Sequence, residues 1–312
     1  MIIYKILLNK GEIKMQNNLT EKDIKILNKW AEKYNIEELK IKDKDKIFKL
    51  NNFTIFNCKM KNIPASIFKL TNLKELYIYC NNIKRLPKEI GDLIKLKKLE
   101  ILARNLMELP KEIGNFTNLK ELSISSENIK RLPNEIYNLV NLKRLYINYD
   151  NLESLPNEIR KLINLEIFDI YCDNLESLPN EIEKLINLKS IHIESEKLKR
   201  LPKEIHNLIN LKRLDIYCEK LERFPDGIEK LINLESIYIE SKKLKRIPKG
   251  ICDLSKLERL YIDCPNLKNF PDGIEKLINL KSINITGKLN LKYLMEGIVK
   301  LNNLKWLCID TE

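Results

Sequence analysis

The side chains able to do chemistry are few, and they are spaced with unusual regularity. The 312 residues include only two histidines, His192 and His206, and seven cysteines. Hydrolytic or metal chemistry needs a nucleophile or ligand set with partners at fixed offsets. Neither histidine has such a partner in sequence, there is no C-x-x-C, and no P-loop, G-x-G-x-x-G or H-E-x-x-H occurs. No catalytic residue, metal ligand or cofactor is therefore assigned, and the chain reads as a non-enzyme. What it does carry is tyrosine beside carboxylate. Tyr77, Tyr79, Tyr146, Asp169, Tyr171, His192, Glu194, Asp215, Tyr217, Tyr238, Glu240, Tyr261 and Asp263 occupy alternate positions of short apolar stretches. A phenol offers rigid contact area with a polar tip, and a carboxylate accepts from basic groups, which together suit recognition of a protein.

A repeat positions these residues. The stretch 162–185, LINLEIFDIYCDNLESLPNEIEKL, returns 23 residues later as LINLKSIHIESEKLKRLPKEIHNL and again as LINLKRLDIYCEKLERFPDGIEKL. Numbered from Leu162, apolar residues fall at positions 1, 4, 7, 9, 14, 17 and 21, with proline at 18. Eleven full units begin at Ile47, Leu70, Leu93, Phe116, Leu139, Leu162, Leu185, Leu208, Leu231, Leu254 and Leu277, and a truncated one begins at Leu301. Alternation at 7, 9 and 11 is a strand signature, and proline at 18 suits the first residue of a short helical turn. One unit cannot bury its own apolar face, so stacking is required and the strands form a parallel sheet.

The pattern Leu-x-x-Leu-x-Leu-x-x-Asn-x-Leu, carried by Leu73, Leu76, Ile78, Asn81 and Ile83, resembles that of the leucine-rich repeat family. The tail Leu86-Pro87-x-x-Ile90-x-x-Leu93 resembles its short-repeat class, found in intracellular Ras-suppressor-like proteins and in many bacterial ones. The resemblance covers residues 47–312. It implies an α/β solenoid, a right-handed superhelix with its parallel sheet on the concave face. It leaves the partner open, because the family binds many unrelated proteins.

The chain departs from that family at position 12, where only Asn81 keeps the asparagine that turns inward in the family. Elsewhere position 12 carries charged residues, Cys58 or Pro265, and a charge does not enter a dry stack unpaired. Position 11 carries small residues, among them Cys80, Ala103, Ser126, Cys172, Ser195, Cys218, Ser241 and Cys264, which are expected to face inward. Tyr149 breaks this rule and is expected to mark a local distortion. Cysteines two units apart lie about 10 Å apart at ordinary strand spacing, too far for a disulfide. Only Cys58 with Cys80 stays open, and free thiols in a reducing compartment are the expectation.

Residues 1–16 are left unassigned, with Met1 and Met15 as alternative starts, and no cleavable secretory signal is read in them. The segment 17–46 is expected to be a cap. Thr20 and Asp23 begin a helix over about 20–35, Ile24, Leu27, Trp30 and Tyr34 share one face, and 36–41 forms a first strand. Residues 47–312 make one repeat domain. Its last full unit has one extra residue near Gly287, Met295 replaces the proline, and the final strand is expected to offer an edge for self-association. His206, at position 22, is expected on the convex side in solvent.

Positions 8 and 10 hold seven tyrosines and six carboxylates in nine units and no lysine or arginine, in a chain with 56 basic residues and a net charge of +12. A real protein interface is the expectation, with basic groups on the partner. The basic pairs Lys84-Arg85, Lys130-Arg131, Lys199-Arg200 and Lys245-Arg246 raise nucleic acid as a rival, but Glu153, Glu176 and Glu222 interrupt their row. The reading is thus a cytoplasmic protein-binding module with no nucleic-acid or membrane partner. The alternatives are an exported bacterial effector acting on host proteins and a basic scaffold associated with nucleic acid.

Overall fold

The computed structural model describes residues 19–36, 39, 49–57 and 59–311. Twelve strands form one sheet in strict chain order, every pairing parallel. They are β1 (Asn52–Phe56), β2 (Glu75–Tyr79), β3 (Lys98–Leu102), β4 (Glu121–Ser125), β5 (Arg144–Asn148), β6 (Ile167–Tyr171), β7 (Ser190–Ser195), β8 (Arg213–Cys218), β9 (Ser236–Glu240), β10 (Arg259–Asp263), β11 (Ser282–Thr286) and β12 (Trp306–Asp310). From β1 to β11 each residue pairs with the one 23 positions on, as Leu214 does with Ile237. The register is therefore the sequence period made physical. Positions 7 and 9 of each coil point inward, and a single continuous core of Leu and Ile runs the length of the sheet.

The return side of each coil is a 3-10 turn, such as Lys88–Asp92 or Asn180–Lys184. Proline ends the extended approach one residue before the turn and not as its first helical residue. Pro87 (φ −61°, ψ 142°) is typical, and its carbonyl accepts from Ile90 N–H at 3.1 Å. The fixed φ of proline fits either place, but ψ near 140° keeps the chain extended until the turn closes on Ile90. Where Pro-Asp-Gly replaces the usual tail, Gly227 and Gly273 take φ of +89° and +105° and the turn shortens to three residues.

Position 11 faces inward and position 12 does not, as the residue sizes require. Cys80, Ala103, Cys172, Cys218 and Cys264 are fully buried and Ser126, Ser195 and Ser241 nearly so, while Arg104, Glu127, Asp173, Glu196, Glu219 and Lys242 are exposed. The serines also bond. Ser195 Oγ donates to the Leu175 carbonyl at 2.8 Å and accepts from the amides of Lys197 and Leu198 at 3.1 Å. This supplies the satisfaction of neighbouring turns that asparagine gives in the family pattern. Tyr149 corrects an expectation: it is fully buried and β5 keeps its register with β6, so the ring is absorbed without distortion.

A second set of side chains stitches the coils together. Asparagine at position 3 donates to the position 2 carbonyl of the preceding coil, as Asn164 does to Val140, Asn187 to Ile163 and Asn210 to Ile186, each at 2.8 Å. These bonds run beside the strand ladder and are independent of it.

Helix α1 (Glu21–Tyr34) covers the first coil. Thr20 caps it, with the reciprocal Asp23 contacts present, and Ile24, Leu27, Trp30 and Ala31 are buried. Asp23 also receives Ser66 Oγ at 2.9 Å and Lys69 Nζ at 2.7 Å from the first 3-10 turn. The strand expected at 36–41 is not formed at Ile36 and Leu39: Leu39 N–H closes a turn on the Ile36 carbonyl at 3.2 Å and lies in a 3-10 segment. The rest of that stretch, and Cys58, lie outside the described residues. At the far end the extra residue beyond Gly287 allows a true helix, α2 (Leu291–Ile298), capped by Asn290.

Candidate protein-binding face

Positions 8 and 10 stand on the sheet face away from the core, so each coil presents two side chains there. From the coil of Leu162 to that of Leu254, every coil presents one ring and one carboxylate: Asp169 with Tyr171, His192 with Glu194, Asp215 with Tyr217, Tyr238 with Glu240, and Tyr261 with Asp263. From Tyr146 to Tyr238 the rings change column at each coil and still touch, and Tyr261 follows Tyr238 in the same column. Centroid separations are 5.0 Å for Tyr146–Tyr171, 4.5 Å for Tyr171–His192, 4.9 Å for His192–Tyr217, 4.2 Å for Tyr217–Tyr238 and 4.0 Å for Tyr238–Tyr261. Six rings thus form one stack, with His192 as its middle link. Sequence does not show this continuity, because a ring at position 8 of one coil and one at position 10 of the next are two residues apart in strand register.

The stack is half-buried by its own neighbours, and that burial changes its chemistry. Burial raises the Tyr171 phenol to about 12, with Asp169 and Tyr146 adding to the effect. Tyr217 and Tyr238 are also raised, by burial first, so these hydroxyls stay protonated and can donate. Asp169 is half-buried and its carboxyl is raised, chiefly by desolvation. Glu194 is exposed, and Glu240 accepts from Tyr238 at 3.2 Å. Asp215 behaves differently from an open acceptor. Only 3 % exposed, it accepts from Arg213 Nε at 2.6 Å, and its Oδ1 is buried without a hydrogen-bond partner. It braces Arg213 at the rim of the face.

Tyr77 and Tyr79 form a separate cluster near β1. Their hydroxyls donate to Glu75 and Glu100, each at 2.9 Å, and the exposed Phe56 meets Tyr79 edge-on at 6.4 Å. The coils of Leu93 and Phe116, with Leu102, Ser123 and Ser125, separate this cluster from the main stack. Basic residues missing from positions 8 and 10 reappear at position 6 as Lys98, Arg144, Arg213 and Arg259, which edge the acidic face with cations. His206 lies elsewhere, and not in open solvent as expected. It is half-buried, its ring close over Gly227 and its Nε2 3.3 Å from Lys230 Nζ. Among the described residues no group of three or more His, Cys, Asp or Glu is placed to hold a metal ion.

A parallel sheet in chain order, 3-10 turns on the return side and a periodic aliphatic core define a leucine-rich repeat solenoid. Four overlapping segments, 22–127, 88–195, 133–223 and 203–312, match the family profile of a leucine-rich repeat region, and the chain belongs to that family. It is similar to a leucine-rich repeat protein of Leptospira interrogans, at 30% identity with a TM-score of 0.69, over 86% of this chain and 74% of that one. An internalin of Listeria monocytogenes shares 18% identity over 93% and 92% of the two chains, with a TM-score of 0.63. Toll, in its Drosophila complex with Spätzle, shares 18% over 84% of this chain and 36% of its own, with a TM-score of 0.69. The last two likenesses are of fold alone. No curated protein matches the sequence. The family fold is in general a non-enzymatic scaffold for protein interaction.

Proposed function

We propose that this chain is a non-enzymatic protein-binding module whose partner seats on the Tyr/carboxylate face of β5 to β10. The observation that carries the reading is the pairing of one ring with one carboxylate in five successive coils, with the rings in continuous contact. Stacked rings are already ordered before a partner arrives, which lowers the entropic cost of association. Glu194, Asp169, Glu240 and Asp263 would meet basic or polar groups of the partner, and Tyr77 with Tyr79 would form a second anchor point. Capture from a lysate by the intact protein, compared with a Tyr171→Ala, Tyr217→Ala, Tyr238→Ala variant, tests the assignment. A protein captured by the first and lost by the second supports it. Equal capture by both refutes it. Loss of binding that tracks salt steeply and requires nucleic acid would favour the basic scaffold instead.

Free, buried thiols at Cys172, Cys218, Cys252 and Cys264 support a reducing compartment, and so the cytoplasm. The Leptospira likeness supports a bacterial source and keeps export toward host proteins as the alternative. Self-association belongs to the same reading. Among the described residues β12 pairs with β11 alone, and Trp306 and Leu307 on it are 52% and 41% exposed. Sedimentation over a wide concentration range should show a dimer, and a monomer throughout would remove this part.

A further inference from the structure

One row of side chains is used neither by the core nor by the ring stack. Position 2 lies in the turn that leads into each strand, and it is exposed and aliphatic in five coils running: Val140, Ile163, Ile186, Ile209 and Ile232, at 45%, 51%, 55%, 50% and 60%. At ordinary strand spacing these five span roughly 19 Å. The fold does not require them. The backbone here is already engaged, as Ile209 N–H donates to the Asn207 carbonyl at 2.9 Å and the Ile209 carbonyl accepts from Asn233 at 2.9 Å. Thr71, Thr117 and Ser255 hold the same turn in other coils. Single exposed aliphatics mean little, whereas a contiguous row marks a contact surface.

The row is flanked by positive charge. In the coils from Leu70 to Leu277, positions 3 and 5 and the last residue of the coil carry fourteen lysines against five carboxylates. Some are paired, as Lys143 and Lys189 are with Glu166 at 2.7 Å each, but the surplus remains. Three residues beyond the aliphatic row, positions 5 and 6 line a groove of about 540 Å³. Six of its ten lining residues are basic (Lys120, Lys143, Arg144, Lys189, Lys212 and Arg213), against two glutamates.

We propose that this leading edge of the strands is a peripheral docking surface for an anionic lipid bilayer. The row of aliphatics seats at the headgroup boundary while lysines reach phosphates and the groove takes headgroups. A second copy would match the aliphatics but bring two lysine-rich flanks together. A nucleic acid would reward the lysines and leave the aliphatics idle. No described helix is long and apolar enough to cross a membrane, and a contact of this kind needs none. No membrane partner was legible in sequence, because the repeat period marks position 2 as solvent-facing without saying what covers it.

The test is co-sedimentation of the full chain with vesicles of phosphatidylcholine alone, or of phosphatidylcholine mixed with phosphatidylglycerol. The expected result is binding to the mixed vesicles only. It should fall at least about tenfold in an Ile163→Thr, Ile186→Thr, Ile209→Thr variant and in a Lys143→Gln, Lys189→Gln, Lys212→Gln variant, both of which alter exposed residues. Unchanged circular dichroism would show that each still folds. The Tyr171→Ala, Tyr217→Ala, Tyr238→Ala variant should bind vesicles as the parent does, which separates this surface from the ring face. Three results would overturn the proposal: no binding to the mixed vesicles, equal binding by the threonine variant, or competition by free inorganic phosphate as strong for the parent as for that variant. Capture of an acidic protein that depends on the isoleucines, without vesicle binding, would reassign the edge to a protein.

Discussion

Ser195 shows how much one buried hydroxyl can hold. Its Oγ serves the Leu175 carbonyl and the amides of Lys197 and Leu198 inside the stack, so alanine would leave these groups without their partner and without water. Ser195→Ala should cost about 2 kcal/mol, read as a lower denaturation midpoint at unchanged m, and Ser195→Cys should recover part because Cys172 and Cys218 fill the same position next door. Tyr149 is the opposite case, a buried hydroxyl with no partner. Tyr149→Phe should therefore raise stability, by about 1 kcal/mol. Burial pushes the Tyr149 and Tyr137 phenols up, so the folded state holds their protons where the unfolded chain, titrating near pH 10, gives them up. That stabilisation is complete below pH 10 and is lost as pH rises further. Absorbance titration should show both phenols ionising only with unfolding. Sequence revealed that position 11 faces inward, because small residues fill it in most coils, but not that the Tyr149 ring would also fit there. It did not reveal the serine bonds, which depend on where the neighbouring turn puts its carbonyls, nor that Asp215 would be buried against Arg213.

The element most dependent on one residue is α1. Burial acts to raise the Asp23 carboxyl, but hydrogen bonds from Lys69, Thr20 and Ser66 outweigh it and hold the group well below the usual carboxylate range. The folded form thus favours the ion, so its contribution is full above the unfolded value of about 3.9 and declines as pH falls below it. Asp23→Asn should loosen the helix from the first coil by about 2 kcal/mol at neutral pH and remove this acid sensitivity, followed through the fluorescence of Trp30. The helix was legible because Thr20, Asp23 and the Ile24, Leu27, Trp30 spacing are all local signals. Alternation at 36–41 misled at Ile36 and Leu39, since period-2 spacing over six residues does not say whether a pairing edge is in reach. Proline at 18 was read correctly as a turn marker and placed one residue too far in, a difference that backbone ψ decides and sequence does not express.

Across the whole molecule each coil touches its neighbours and little else, so protection need not be uniform. Hydrogen exchange should be slowest for amides of β6 to β8 and fastest for those of β12, and uniform exchange along the sheet would contradict nearest-neighbour stability. The asparagines at position 3 carry a further consequence. If residues 185–207 were deleted, Asn210 would meet the Ile163 carbonyl that Asn187 now holds, and the aliphatic interior would close without a seam. The scaffold cannot tell how long it is. The deleted protein should fold, yet His192 would be gone and Tyr171 would sit in one column with Tyr217, so the order of recognition groups would be rewritten. Length is thus a free variable of the frame, and the identity of what is held depends on an aperiodic text written along it.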